Sequence, residues 1–302
     1  MDRNSEFYRQ VQLLTRILPL VAAEKCFALK GGTAINLFVR DLPRLSVDID
    51  LAYLPSEDRE TALKNIRAAL SRISAAIQNS FSGSKVLHSP EHSDSQRLIV
   101  EHNGVKIKIE LSPVLRGTVY PIKVMATTKK TAENFGYAEI QVVSLPDLYA
   151  GKFCAALDRQ HPRDLFDVKL LLENEGLTEE LRKAFLVYLI SHNRPIAELL
   201  RPNHLDFKDI YESEFKDMAQ ENATIKELED AREKLIAGIS NGLTQQEKQF
   251  LLSFKAKEPK WELLALEGID QLPAVRWKLH NLGRMATAKH KAALKNLEDV
   301  LK

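Results

Sequence analysis

The sequence contains few cysteines, little excess of either charge and no long apolar run. Only Cys26 and Cys154 are present among 302 residues, which fits reduced thiols and excludes a cysteine-based zinc site. The formal net charge is +2, so the overall electrostatics do not require a nucleic-acid partner. No signal peptide and no apolar segment of membrane-spanning length is seen, so we expect a soluble, cytoplasmic protein with no membrane partner.

Two acidic residues in an alternating run are the most informative feature of the chain. Asp48 and Asp50 lie two positions apart, between Val47, Ile49 and Leu51. Side chains alternate along a strand, so both carboxylates should point to one face while the aliphatic residues enter a core. Two carboxylates on one face repel each other unless a cation lies between them. Oxygen ligands suit Mg²⁺ or Mn²⁺, so the run predicts a divalent metal site, although a solvated strand face would give the same pattern.

A double-glycine turn precedes the acidic pair. Gly31 and Gly32 would let backbone amides approach an anion, and Thr33 is expected to cap a short helix over 34–39 whose N-terminus favours phosphate. A plain structural turn is the alternative. Beside a metal site, a phosphate-binding turn suggests phosphoryl or nucleotidyl transfer. Two polar residues just before the acidic pair are further candidates for phosphate contact: Arg44 and Ser46.

The clearest strand signal is a hairpin. The runs 97–102 and 105–110 flank Asn103-Gly104, the dipeptide typical of a type I′ turn. Glu110 ends the second run and can lie beside the strand of the acidic pair, and an exposed charged face would give the same pattern. Further helices are predicted over 5–25 and over 59–80, and Pro19 is expected to kink or break the first of them. Further strands are predicted at 85–88, 118–125 and 139–143, and the segment 26–29 is predicted to be a first strand or a buried turn.

After Ser144 the pattern becomes helical, and a second group of charged residues appears. Lys152 lies on a predicted helix over 144–158, and Asp164 and Asp167 share a face of the next helix. The lysine suits a triphosphate or a departing pyrophosphate; Asp164 could orient it or accept a proton from an attacking hydroxyl. Asp167 is expected to hold one of two arginines, and an ordinary surface ion pair is the alternative. The arginines are Arg159 and Arg163.

The stretches KGGTAINLF, LPRLSVDIDLAYL and LPDLYAGKFCAALDRQHPRDLFDVKLL together resemble the AbiEii/AbiGii toxins, which are nucleotidyltransferases of bacterial abortive-infection toxin–antitoxin pairs. The resemblance covers about 29–172. It implies an NTP substrate, Mg²⁺ or Mn²⁺, an acceptor such as the tRNA 3′ end or a protein side chain, and a cognate antitoxin. It also implies site residues: for metal, Asp48, Asp50 and Glu110; for catalysis, these with Lys152 and Asp164; for nucleotide, Gly31, Gly32, Thr33, Arg159, Arg163 and Asp167. Position alone adds two candidate nucleotide contacts, Arg44 and Ser46.

We therefore predict an α/β (α+β) fold, with a small mixed sheet of nucleotidyltransferase type, flanking helices and a C-terminal helical bundle. Residues 1–144 would form the catalytic domain, and residues 145–302 a helical domain that completes the active-site cleft. The predicted function is a metal-dependent nucleotidyltransferase toxin. A nucleotidyltransferase that modifies small antibiotics and a non-catalytic interaction module on the same fold are the alternatives. Basic residues within 276–291 could contact RNA or form a solvated helix face.

Overall fold

The computed structural model describes residues 3, 5–90, 96–112, 116–220 and 223–302. The chain divides into two units, and each is described by itself. The first contains Met1–Ser144 together with Asp217–Asn222, and the second contains Leu145–Lys216 together with Ala223–Lys302. The inclusion of a late segment in the first unit is not indicated by any sequence pattern. None of the helices described here is long and apolar enough to cross a membrane.

The first unit contains a mixed sheet of seven strands in the part of the chain that is described. The strands are β1 Phe27–Lys30, β2 Asp48–Tyr53, β3 Lys85–His88, β4 Gln96–His102, β5 Val105–Leu111, β6 Lys123–Ala126 and β7 Glu139–Val142. Their order is β3-β4-β5-β2-β1-β7-β6. The pairs β2–β5 and β1–β7 are parallel, and the other neighbours are antiparallel. The predicted α/β class with a small mixed sheet is confirmed.

The turn between β4 and β5 has the predicted geometry. Asn103 and Gly104 both have positive φ, 50° and 74°, as a type I′ turn requires. The strand expected over 118–125 is shorter, because only Lys123–Ala126 pairs with β7. It lies at the edge of the sheet, in agreement with the presence of Pro121 just before it.

Helices cover the apolar face of this sheet. Helix α1, Glu6–Ala22, packs against β5 and β7, and α3, Arg59–Ser80, packs against β4. Asp58 begins α3 as its N-cap and accepts hydrogen bonds from the backbone N–H groups of Glu60 and Thr61. Pro19 does not break α1, which continues beyond it by one turn. Two further helical segments belong to this unit: α2, Gly31–Ala34, which continues as a π-helix over Ile35–Val39, and α4, Lys129–Phe135, which was not predicted.

The described part of the second unit is helical, as predicted. Its α-helices are α5 Leu145–Asp158, α6 Pro162–Asn174, α7 Glu179–Ser191, α8 Ile196–Leu200, α9 Lys208–Glu214, α10 Ile225–Gly242, α11 Gln245–Lys255, α12 Pro273–Gly283 and α13 Thr287–Val300. Short 3₁₀ turns occur at Trp261–Leu263 and Ile269–Gln271. Helix α5 packs against α6 and α7, and these contacts bury one face of each helix. The polar groups that α5 and α6 bury are therefore surrounded by packed apolar side chains.

Candidate active site

The acidic pair lies on the polar face at the centre of the sheet. Asp48 and Asp50 on β2 are half-buried, whereas the alternating Ile49 and Leu51 are fully buried in the core. Strand β5 runs parallel to β2, so that Asp48 is paired in register with Lys108 and Asp50 with Glu110. Residues paired in register share a face of the sheet. The predicted third carboxylate is thus on the same face as the acidic pair.

The two glycines accommodate different polar side chains. Gly31 has φ +73°, and a Cβ added to it would lie 2.3 Å from Asp50 Oδ2. A Cβ added to Gly32 would lie 2.8 Å from both Arg44 Nη2 and Ser46 Oγ. The Asp50 carboxylate and the Arg44 guanidinium therefore approach the backbone so closely that any side chain at 31 or 32 would displace them. The double glycine brings a predicted metal ligand and two predicted phosphate contacts together.

Thr33 does not cap a helix, contrary to the prediction. The helical segment begins at Gly31, with Lys30 as its N-cap, and Thr33 lies inside the first turn. Its side chain is fully buried; Oγ1 donates a hydrogen bond to the Asp48 carbonyl and lies 3.1 Å from Ser46 Oγ. The helical segment starts two residues before Thr33, and the Thr33 hydroxyl reaches β2. Thr33 thus joins the turn to the strand of the acidic pair.

Lys108 places a positive charge among the carboxylates. Its Nζ is 2.9 Å from Glu110 Oε2, and about a third of each side chain is exposed. Partial burial lowers the pKa of Lys108, but the hydrogen bond to Glu110 and the charges of Asp48, Glu110 and Asp50 together raise that pKa above its ordinary value. Among the described residues, no group of three or more His, Cys, Asp or Glu side chains converges as a ready-made metal cage. The oxygen donors that fit a cation here are those of the aspartate pair.

The loop before β2 is fixed by a segment from much later in the chain. Arg44 is buried and donates from Nη1 to the Leu45 carbonyl, 2.8 Å away. The backbone N–H of Leu45 donates to the Met218 carbonyl at 2.8 Å, and Arg44 and Ala219 form an antiparallel bridge. Sequence patterns missed this short segment, because it has no periodicity and gives no signal for pairing with a distant loop.

In the second unit, a buried lysine is shared by two aspartates. Lys152 Nζ on α5 is 2.8 Å from Asp164 Oδ1 and 3.0 Å from Asp167 Oδ2 on α6. Both carboxylates are almost fully buried, and the lysine side chain is only 7% exposed. Asp167, which was predicted to hold Arg159 or Arg163, thus also contacts Lys152.

The two arginines have different partners. Arg159 contacts Asp164 through Nε at 2.6 Å and Nη2 at 3.1 Å, whereas Arg163 contacts Glu214 at 3.3 Å. Burial raises the pKa of Asp164, but the charge of Lys152 and the hydrogen bond from Arg159 outweigh it and hold that pKa well below its usual range. The Arg159 side chain remains 61% exposed, so it links a buried carboxylate to the surface.

Gln160 positions the turn that carries Arg159 and was missed by the sequence reasoning. It is buried, and its φ is +49°. Its Nε2 donates to the Asn203 carbonyl at 2.6 Å, and its Oε1 accepts from the backbone N–H of Leu205 and from Arg232 Nη1, both at 2.9 Å. Glutamine is not typical of a left-handed conformation or of a buried anchor, so no local signal could have identified it.

The predicted site residues thus form two groups, one in each unit. The first contains Gly31, Gly32, Thr33, Arg44, Ser46, Asp48, Asp50 and Glu110. The second contains Lys152, Arg159, Asp164 and Asp167, with Arg163 one turn of helix away from Asp167 and bound to Glu214. Their use in one reaction stays a prediction.

Comparison with known proteins relates the chain to one family. The sequence matches the family described as nucleotidyl transferase AbiEii toxin, Type IV TA system, over residues 12–281. No curated protein matches it significantly. A similar solved structure is that of MenT4, a nucleotidyltransferase toxin from Mycobacterium tuberculosis H37Rv, with a TM-score of 0.64 and 14% sequence identity. The alignment covers 93% of this chain and 95% of that chain, so the two share a fold throughout.

Proposed function

Because the chain belongs to the AbiEii family of nucleotidyltransferase toxins of type IV toxin–antitoxin systems, we propose that it transfers a nucleoside monophosphate from an NTP to an acceptor hydroxyl. The single observation that carries this proposal is the contact of the double-glycine turn with the acidic pair. The Asp50 carboxylate lies against Gly31, where a side chain would collide with it. A turn that can hold phosphate is thereby joined to carboxylates that can hold a metal. The cognate antitoxin is the expected protein partner.

We assign a divalent cation, Mg²⁺ or Mn²⁺, to Asp48 and Asp50, with Glu110 as the candidate third ligand. The two aspartates fit this role because they are half-buried oxygen donors on one face of the sheet. A bound ion would polarise phosphate oxygens and stabilise charge during in-line displacement. The fixed backbone of β2 keeps both carboxylates in place, so little reorganisation is needed when substrate binds.

We assign the triphosphate to the turn that precedes the acidic pair. The backbone of Gly31 and Gly32 offers a close approach for an anion, and the guanidinium of Arg44 packs against Gly32. Ser46 Oγ lies at the same glycine and contacts the Thr33 hydroxyl. These groups would hold the phosphates and leave the α-phosphorus open to attack by the acceptor hydroxyl.

We further propose that Lys152 and its partners serve the same transfer. Lys152 would stabilise negative charge on the departing pyrophosphate, and the exposed Arg159 would bind a phosphate. The low pKa of Asp164 makes this carboxylate a weak proton acceptor, so its role is to position Lys152 and Arg159. Two buried carboxylates around one ammonium hold the cation in a single position.

The proposal is tested by incubating the purified protein with each labelled NTP, Mg²⁺ and one of three acceptor pools: total tRNA, total protein or aminoglycosides. Label in tRNA or protein with release of pyrophosphate is expected. Asp48→Asn should abolish labelling, because it removes a charged ligand from the proposed metal site. The matched control is Glu101→Gln, since Glu101 lies on the same sheet and pairs with Lys106 at an exposed position. This control should label normally.

Three outcomes would refute parts of the proposal. Labelling of aminoglycosides alone would identify an antibiotic-modifying enzyme. Growth arrest that survives Asp48→Ala would show that toxicity is a binding effect without catalysis. Release of a nucleoside diphosphate in place of pyrophosphate would indicate transfer of the γ-phosphoryl group.

A further inference from the structure

Lys108 is a charged residue of the central sheet to which the proposed function gives no role. It lies on β5 directly beside Asp48, and the next residue on the same face of β5, Glu110, lies beside Asp50. Its ammonium group is 2.9 Å from Glu110 Oε2. The acidic pair of β2 and the Lys108–Glu110 pair of β5 therefore form one patch of four charged side chains.

The patch holds three carboxylates and one ammonium. A covalently tethered ammonium reduces the repulsion between carboxylates without an ion from solution. It also repels a divalent cation that approaches the same oxygens, and this repulsion is large within a few ångströms. Glu110 is already engaged by Lys108, so its oxygens are not freely available as ligands before the ion arrives. Both effects act against binding of a free metal ion at the patch when no nucleotide is bound.

We propose that Lys108 lowers the affinity of the Asp48/Asp50 pair for a free divalent cation, so that the ion is retained together with the phosphates of a nucleotide. This inference rests on the proposed function, because it assumes that the aspartate pair is the cation site. The phosphates supply the negative charge that offsets the ammonium. Lys108 is a positioning residue in this account, and it makes occupancy of the metal site depend on substrate.

The test measures the affinity of the nucleotide-free 302-residue protein for Mn²⁺. The electron paramagnetic resonance signal of the unbound ion reports how much Mn²⁺ remains free. Lys108→Met should bind Mn²⁺ about tenfold more tightly than the wild type, because it removes a unit charge beside the ion. Lys106→Met is the matched control. Lys106 lies on the same strand and face and loses the same charge, but its side chain is 65% exposed and its ammonium pairs with Glu101 at 3.5 Å. It should change the affinity by less than about twofold.

A Lys108→Met affinity no higher than that of Lys106→Met would overturn the inference. A tighter site that survives Asp48→Asn in the Lys108→Met background would also overturn it, because the ion would then be bound elsewhere. Lys108→Gln provides the same comparison if Lys108→Met does not fold. The failure of the proposed function gives a different result, since it would show as absence of transfer by the wild type whatever the Mn²⁺ affinities are.

Discussion

Replacing Gly31 with alanine tests the link between the glycine turn and the acidic pair. The substitution has two separable consequences. The backbone at Gly31 has φ +73°, which an L-residue with a Cβ adopts at a cost. The added methyl group would also lie 2.3 Å from Asp50 Oδ2, so the carboxylate must move.

The expected magnitudes can be divided between these two effects. A left-handed conformation costs a non-glycine residue about 1–2 kcal/mol. Forcing a methyl group into occupied space costs about 1–3 kcal/mol more. Gly31→Ala should therefore lower the free energy of unfolding by about 2–5 kcal/mol in total. Gly83→Ala isolates the first effect, because Gly83 has φ +76° and nothing within 4 Å of the added Cβ.

The assays are urea unfolding and nucleotidyl transfer by both variants beside the wild type. Gly83→Ala should lose about 1–2 kcal/mol and keep full transfer activity. Gly31→Ala should lose more stability and about 100-fold in transfer rate, because displacement of a reacting group by about 1 Å has an effect of that size. Equal stability losses in the two variants, or full activity of Gly31→Ala, would refute the reasoning that the Asp50 carboxylate needs a residue without a Cβ at position 31.

Three further outcomes follow from the described contacts. Lys152→Met should abolish transfer. It should also lower the free energy of unfolding, measured in urea, by about 3–5 kcal/mol, because two buried carboxylates lose their shared cation. The pKa of Asp164 is lower in the folded than in the unfolded chain, so its stabilisation is complete above about pH 3.9 and lost as the pH falls below it. Unfolding curves from pH 6 to 2.5 should therefore be steeper in pH for the wild type than for Asp164→Asn. Thr33→Val should cost about 1 kcal/mol and reduce transfer, because the hydroxyl holds the backbone of Asp48. Thr15→Val is the matched control, because it removes a buried hydroxyl hydrogen bond within α1. It should lose as much stability as Thr33→Val and keep the wild-type transfer rate.

Local patterns predicted most of the fold. The alternation around Asp48 and Asp50 identified β2 and its two faces, and Asn103-Gly104 fixed the register of β4 and β5. The fold class, the enzyme class and the family were predicted from the resemblance of three sequence stretches to the AbiEii/AbiGii toxins, and they are confirmed. Helix α3 was predicted with its observed bounds, because its apolar period is regular and Asp58 is a strong N-cap.

The features that were missed depend on distant partners. The sequence around Thr33 is typical of a helix cap, but its hydroxyl donates a hydrogen bond to the Asp48 carbonyl, fifteen residues later in the chain. Lys108 reads as an exposed strand lysine until the parallel pairing places it beside Asp48. Gln160 anchors residues 203–205 and Arg232, which no local pattern connects to it. Tertiary contacts, and not propensity, decide the roles of all three.

The bridge between Arg44 and Ala219 limits where the protein can be truncated or split. A fragment that stops at residue 144 would retain both aspartates and every strand described here, yet it would lack the backbone that receives the Leu45 amide. Premature stop codons anywhere upstream of Met218 should therefore give non-toxic alleles. This should hold even for stop codons that lie well after Asp167, the last residue in sequence of the two groups of predicted site residues. A two-piece version of this toxin would have to be cut beyond Gln220 for its amino-terminal piece to keep that loop in place.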